Sequence, residues 1–334
     1  MSGATNSFRG LVLRETDGKV SSKIEQLTDA DLPAGDVTVR VAASTLNYKD
    51  GMVLKGIGQL VRSYPHVPGI DFAGTVEDSN SPNYKPGDRV VLTGWRVGEV
   101  HWGGYAQKAR VKAEWLVPLP AAISFHQAMA LGTAGFTAML AVMALEEHGL
   151  TPANDGEVLI TGAVGGVGSI AVALLAKLGY RVAASTGRAA EHAYLKNLGA
   201  TTIVPRAELE AKPAGPLATE RWSGAIDNVG GPILANLLTA LKRSGSCASV
   251  GLAASNKLET TVVPFLLRGV NLLGIDSSMT PFARRVAAWN RLDRDFDWVL
   301  LDGIASTIGL AELPAFAERI LAGQVRGRVV VDLG

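Results

Sequence analysis

One stretch constrains the fold of this chain more than any other: Val158-Leu-Ile-Thr-Gly162-Ala-Val-Gly165-Gly166-Val-Gly168-Ser-Ile-Ala-Val172. It opens on β-branched and aliphatic residues, bends through glycines and then runs on without a breaker. A strand that turns through glycines into a helix gathers main-chain N–H groups and the positive end of a helix dipole at one place, which is where a diphosphate binds. Side chains on the bend would block that approach, so Gly165 and Gly166 suit it, and Gly168 lets the helix lie close to the strand. The strict GxGxxG spacing begins here on Ala163 instead of glycine. The turn therefore takes its meaning from its context.

That context is a regular alternation. Apolar strand patterns at 157–161, 180–185, 202–204, 225–228, 246–251 and 271–275 alternate with helical patterns at 167–178, 191–198 (closed by Gly199) and about 232–242. Such a rhythm predicts a parallel sheet covered on both faces. A longer helix is expected over 281–300, and the tail, 313–333, reads as a helix and a last strand at 328–332. The first 120 or so residues read differently. Short β-branched or alternating runs at 37–41, 74–77, 89–92 and 107–111 lie between turn signals such as Pro33-Ala-Gly35 and Lys85-Pro-Gly-Asp88. Pro118 and Pro120 mark a boundary. At 334 residues the chain has room for two domains.

Net charge is only +1, so there is no global electrostatic case for nucleic acid or a membrane surface. Cys247 is the single cysteine, which excludes an intramolecular disulfide and a four-cysteine metal lobe and favours a reducing compartment. Residues 1–20 show no basic stretch followed by an apolar core, so no secretory leader is expected. Residues 128–145 are uncharged over nearly the length of a membrane span. With Gly132, Thr133, Gly135 and Thr137 in the first half, they are expected to form a buried helix or helix pair.

The end of the strand after the glycine turn selects the dinucleotide. An NAD site places an acid there to bond the ribose 2′-hydroxyl. This chain has Ser185-Thr186-Gly187-Arg188 instead, with no acid until Glu191. Two hydroxyls and a guanidinium can hold a 2′-phosphate by charge-assisted hydrogen bonds, whereas a carboxylate would repel it. NADPH is therefore the expected cofactor.

The β-rich first part, the Gly132-Thr-Ala-Gly-Phe-Thr-Ala138 segment and the glycine turn, in this order, resemble the medium-chain dehydrogenase/reductase superfamily. Where its alcohol dehydrogenases carry a Gly-His-Glu run with a zinc-binding histidine, this chain has Gly69-Ile70-Asp71. No catalytic metal is expected, and without a Lewis acid the chemistry must suit hydride transfer alone. Within the zinc-free branch the chain resembles the acryloyl-CoA reductase group of quinone-oxidoreductase-like proteins over essentially its whole length. The match is carried by Leu46-Asn-Tyr48-Lys49-Asp50, Pro68-Gly-Ile-Asp-Phe-Ala-Gly74, Leu92-Thr-Gly-Trp95, His101-Trp-Gly-Gly104, Tyr194-Leu-Lys196 with Leu198-Gly-Ala200, and Asp276-Ser with Met279-Thr-Pro-Phe282 ahead of Arg284-Arg285.

The resemblance implies an α/β architecture: a GroES-like β-rich catalytic domain over residues 1–122 and 304–334, and a doubly wound Rossmann domain over 123–303. It implies NADPH-dependent reduction of acryloyl-CoA to propionyl-CoA, a cytoplasmic location and a homodimer. By the same resemblance, Tyr48, Val164, Gly165, Gly166, Val167, Thr186, Gly187, Arg188, Arg206, Leu252, Leu266 and Ser277 are expected to contact the cofactor. Tyr48 is the candidate catalytic side chain, since a phenol can donate a proton without carrying charge. Asp50 and Asp71 read as structural, orienting loops through backbone bonds. Arg284, Arg285 and Arg291 are candidates for the phosphates of the acyl-CoA substrate or for a helix-face ion pair or dimer contact. Two alternatives stay open: an NADPH-dependent quinone or alkenal reductase, and a non-catalytic nucleotide-binding or RNA-binding protein. The absence of a basic–aromatic stripe argues against RNA.

Overall fold

The computed structural model describes residues 7–211 and 215–334. The first six positions of the stretch read above for a leader lie outside the described residues. In chain order, β1 (Ser7–Thr16), β2 (Lys19–Thr28), β3 (Val37–Leu46), α1 (Tyr48–Leu54), β4 (Asp71–Ser79), β5 (Arg89–Thr93), β6 (Lys108–Val111), β7 (Val117–Pro118) and α2 (Phe125–Glu147) come first. Then follow β8 (Glu157–Ile160), α3 (Gly166–Lys177), β9 (Val182–Thr186), α4 (His192–Asn197), β10 (Thr202–Pro205), α5 (Arg206–Glu210), β11 (Trp222–Asp227), α6 (Gly231–Ala240), β12 (Leu241–Ser249), α7 (Val263–Arg268) and β13 (Asn271–Gly274). The last elements are α8 (Phe282–Asp295), α9 (Leu301–Ile304), β14 (Ala305–Gly309), α10 (Leu313–Leu321) and β15 (Arg328–Asp332).

These elements form two compact units, one of residues up to 133 with 277–293 and 301–334, the other of residues 134–276 with 294–300. The division falls inside α2, next to Gly132, whose φ of 52° and ψ of −154° break the helix. The long uncharged segment is accordingly a helix with a break, and 89% of its most apolar window is buried in protein.

In the first unit a seven-stranded sheet runs in the order β14-β15-β3-β4-β5-β7, with β6 also paired to β3. All its pairings are antiparallel except β14–β15. A separate hairpin, β1–β2, closes over it, and Leu11, Leu13, Val39, Phe72 and Leu92 share its core. The second unit holds a six-stranded, all-parallel sheet in the order β10-β9-β8-β11-β12-β13. The strand order reverses between β8 and β11, and ligands of open parallel sheets bind at the carboxyl ends of the strands flanking such a reversal. Every residue of β9 is buried, as a strand covered on both faces requires.

Two sequence boundaries move. The helix expected over about 232–242 stops at Ala240, because Leu241 is extended and opens β12 against Trp222 of β11. The helix expected over 281–300 ends at Asp295, and a 3₁₀ turn at Trp298–Leu300 follows, closed by the Asp297 carbonyl accepting from the Leu300 N–H at 3.1 Å.

Candidate active site

The glycine bend lies at the carboxyl end of β8, beside the reversal. Gly162 has a φ of 58°, a left-handed conformation that glycine adopts without strain. Gly168 is fixed by packing: a Cβ there would stand 2.4 Å from the Gly162 carbonyl oxygen and 2.6 Å from the Ala163 Cα. Gly165 is different. Its φ of −74° and ψ of 176° are open to any residue, and a Cβ would meet only the Gly162 carbonyl oxygen, at 3.3 Å. Backbone conformation does not call for a glycine at this position, and packing within the chain calls for one far less than at Gly168. Gly165 is also the N-cap of α3, no side chain caps that helix, and its first turn holds no acid. The N–H groups of Gly166 and Val167 therefore face outward with the positive end of the helix dipole behind them. These residues fit a diphosphate. Val164 is buried, so its contribution is its backbone.

A clasp that sequence reasoning missed holds the bend in place. Thr161 donates its hydroxyl to the Asp227 carboxylate at 2.6 Å, and the Asn228 N–H donates to the same hydroxyl at 3.0 Å. The Asn228 side-chain amide bonds the Thr161 carbonyl at 2.7 Å, and Asp227 accepts the Gly230 N–H at 2.8 Å. The clasp ties the ends of β8 and β11 together at the reversal. Burial pushes the Asp227 carboxyl up from its ordinary range, against the pull of the Thr161 hydroxyl. The signal was present in Asp227-Asn-Val-Gly230, an acid and a glycine ending an apolar strand.

One strand further along, Thr186, Gly187 and Arg188 end β9. The Thr186 hydroxyl accepts the Arg188 N–H at 3.0 Å, which turns the chain at that point. Pro205 stands beside Thr186 in the β10–β9 register, so Arg206 enters the same corner, and its Cδ lies 3.4 Å from where a Gly187 Cβ would be. Arg206 pairs with Glu210 at 3.1 Å, whereas Arg188 makes no ion pair among the described residues. Arg206 thus lies against Gly187, and Arg188 is the next residue, at a strand end that lacks an acid.

Tyr48 and Ser277 belong to the first unit. Tyr48 is the first residue of α1 and 52% exposed. Around the start of α1 lies a largely buried polar network. The Asp50 carboxylate accepts from the Asn47 N–H (2.8 Å), the Asn47 amide (3.1 Å) and the Ile70 N–H (2.8 Å). Asp71 accepts from the same Asn47 amide (3.0 Å), from the Thr133 N–H (2.7 Å) and from the Thr133 hydroxyl. Arg328, buried next to both acids, donates to Thr45 Oγ1 at 2.7 Å and to the Ala130 carbonyl at 3.1 Å. Burial, reinforced by the charge of Asp71, pushes the Asp50 carboxyl up to about 7. Asp71 is also raised by burial, against its Thr133 bonds and Arg328. The backbone-orienting role read for both acids matches these bonds. The arginine and Asn47 in the network escaped sequence reasoning.

Leu252 and Leu266, both expected at the cofactor, are 65% and 76% exposed. Leu252 follows β12 with its Cα 3.4 Å from where a Gly230 Cβ would be, near the clasp, while Leu266 lies on α7. Arg285 is only 1% exposed and cannot reach a phosphate in solvent. It lies on one face of α8 with Ala288, Trp289 and Leu292, all buried, a spacing of three and four that marks an inward stripe.

Two family models match, the alcohol dehydrogenase GroES-like domain over residues 33–121 and the zinc-binding dehydrogenase domain over residues 166–292. A GroES-like β unit joined to a doubly wound parallel sheet with an uncapped glycine bend defines a medium-chain dehydrogenase/reductase, and the chain belongs to that superfamily, in its acryloyl-CoA reductase group. It is 59% identical to acrylyl-CoA reductase AcuI of Ruegeria pomeroyi, over 98% of this chain and 99% of the relative. The yhdH oxidoreductase of Salmonella enterica, solved in complex with NADP, is 52% identical with a TM-score of 0.95, covering 98% of this chain and 100% of the other. The Bacillus subtilis protein yhfP, solved with NAD bound, is 43% identical with a TM-score of 0.95, again over 98% and 100%.

Proposed function

We propose that this protein is an NADPH-dependent oxidoreductase that reduces the C=C bond of acryloyl-CoA to give propionyl-CoA, without a metal. Gly165 carries the reading: it is a glycine that its own conformation does not require and that its neighbours press on at one backbone oxygen, at an uncapped helix start, so its missing side chain leaves the helix N–H groups open to a ligand. The Arg188–Arg206 corner supports NADPH over NADH, and the identity to a protein named acrylyl-CoA reductase supports the substrate.

When bound, NADPH supplies a hydride to the β-carbon of the enoyl thioester. The backbone N–H groups of Gly166 and Val167 hold the diphosphate, with Val164 and Gly165 shaping the bend. Arg188, Arg206 and the Thr186 hydroxyl hold the 2′-phosphate across Gly187, and Tyr48, Ser277, Leu252 and Leu266 complete the cofactor contacts. Charge that develops on the thioester oxygen needs donors fixed beforehand; a proton from a side chain or water then completes the α-carbon, and the Tyr48 phenol is the side chain we assign to donate toward the reacting group. The Asn47–Asp50–Asp71 network fixes the start of α1, and with it the direction of Tyr48.

Location in the cytoplasm and assembly as a homodimer belong to the same reading. β13 ends its sheet as an edge strand, and Val262 and Leu267 are exposed nearby in sequence. An uncovered edge with apolar neighbours is a liability that a second copy removes.

The deciding measurement is NADPH oxidation with acryloyl-CoA, crotonoyl-CoA and a benzoquinone in parallel. Turnover of acryloyl-CoA well above the quinone is expected. Turnover of the quinone alone replaces the substrate, and tight NADPH binding without turnover of any enone or thioester leaves a nucleotide-binding protein.

A further inference from the structure

Within the first unit a turn of unusual conformation connects the two residues of that unit assigned to the cofactor. Gly94, Trp95 and Arg96 are all left-handed, with φ of 83°, 55° and 58°. Consecutive non-glycine residues in this region are disfavoured and persist only where their surroundings enforce them. Enforcement comes from Arg285. Its five N–H donors reach five acceptors: Nε the Thr280 carbonyl (2.8 Å), one terminal nitrogen the Thr93 carbonyl (2.6 Å) and hydroxyl (3.1 Å), the other the Ser277 (3.1 Å) and Ser278 (2.7 Å) carbonyls. The guanidinium also lies 4.7 Å from the centre of the Trp95 ring.

The Trp95 N–H donates to the Ser278 carbonyl at 2.9 Å, and a Cβ on Gly94 would stand 2.6 Å from that same oxygen. The turn and the segment around Ser277 are thus fastened face to face. At the other end of the turn, buried Glu99 takes Lys49, the neighbour of Tyr48, at 3.2 Å and Arg96 at 3.9 Å. The turn is closed by the Val97 N–H donating to the Gly94 carbonyl at 3.1 Å, and the enclosed Trp95 indole N–H has no acceptor among the described residues.

We propose that Arg285 is a positioning residue: by clamping the left-handed turn Gly94–Arg96 to the Ser277–Thr280 segment, and through Glu99 to Lys49, it fixes Ser277 and Tyr48 relative to one another. This rests on the reading of those two residues as cofactor contacts. A planar fork with five fixed donors does this work, and an ammonium cannot.

The test uses the full chain carrying Arg285→Lys, Glu99→Gln or both. In the cofactor-free protein, Arg285→Lys should speed amide hydrogen exchange by about tenfold at Trp95, Val97 and Gly98 and also across Tyr48–Leu54, because opening of the turn frees both. With NADPH and acceptor saturating, kcat should fall by about tenfold in each single variant while Kd for NADPH, read by fluorescence quenching, stays within about threefold. The double variant should be little worse than the poorer single one, since both act through one chain of contacts.

A folded Arg285→Lys with parental exchange over Tyr48–Leu54, or with parental kcat, overturns the proposal, as do fully additive losses. If Arg285→Lys does not fold, Glu99→Gln decides alone: faster exchange at the turn with lowered kcat supports the proposal, and parental behaviour overturns it. A parent that reduces only the quinone refutes the substrate reading and leaves kcat readable on that acceptor. The exchange measurement needs no substrate.

Discussion

Arg188 makes no ion pair among the described residues, and Arg206 packs against its neighbour Gly187 at the same strand end. A guanidinium in that position contributes to binding through charge-assisted hydrogen bonds of roughly 1.5–3 kcal/mol, which is about 10- to 100-fold in affinity. Arg188→Glu should therefore lower the ratio of kcat/KM for NADPH over NADH by at least about tenfold, because a carboxylate repels the 2′-phosphate and bonds a 2′-hydroxyl. The check is steady-state kinetics with both cofactors, and an unchanged ratio removes Arg188 from the site. Arg206 shares its charge with Glu210, so its own replacement should matter less. The assignment proposed for Arg188 can be formed from the sequence because its meaning lies in what is missing around it, an acid. Arg285 could not, because Arg284-Arg285 reads as a run of surface charge until the inward spacing with Ala288, Trp289 and Leu292 is counted.

The glycine bend and its helix show why one element was legible and another was not. β8, α3 and β9 could be placed nearly to the residue, since a parallel strand buried on both faces and a helix apolar all round leave few alternatives. β2 was passed over because half its side chains face solvent and its sequence, Lys19-Val-Ser-Ser-Lys-Ile-Glu-Gln-Leu-Thr28, carries little apolar signal; its partner β1 supplies the missing surface. The Thr161–Asp227 clasp and the Asp71–Arg328 neighbourhood are long-range pairings that no local pattern announces. At the bend itself, packing separates two glycines that look alike in sequence. Gly168→Ala would drive a methyl into the Gly162 backbone and should destabilise the protein by about 1–3 kcal/mol through overpacking. Gly165→Ala meets only one carbonyl, so its melting temperature should stay near the parent's while NADPH binding weakens markedly. Thermal melting alongside NADPH titration checks the pair. Equal loss of stability in both variants, or undiminished binding in Gly165→Ala, contradicts the assignment of the bend.

Across the whole molecule, two populations of carboxylates act in opposite directions on stability. Exposed acids such as Asp31 and Asp88 are held below their ordinary range by backbone hydrogen bonds, from Thr28 and Lys85 respectively. Their contribution is present above their unfolded values and is lost as pH falls. Asp50 and Asp71 are the reverse case, raised by burial, Asp50 to about 7. For Asp50 the folded protein binds more protons than the unfolded chain between about pH 4 and pH 7, so the slope of unfolding free energy with pH is negative there, and Asp71 acts in the same direction. Their stabilisation is complete below the unfolded value and disappears as pH rises through the folded one. The carboxylates together favour a maximum on the acid side of neutrality, while His66 and His101, both held by burial below the ordinary imidazole value, oppose the decline above it. Asp50→Asn keeps the shape of the protonated acid and removes its titration. One amide oxygen can still accept the Asn47 N–H, while the Ile70 N–H must lose its partner or face the amide nitrogen, so this variant should start lower and lose much of the decline between about pH 5 and 8. Asp88→Asn should instead soften the loss on the acid limb and leave the upper limb intact. A parental decline above pH 5 in Asp50→Asn would mean that the buried pair stays ionised throughout, balanced by Arg328, and that the network around the start of α1 holds its geometry without taking up a proton.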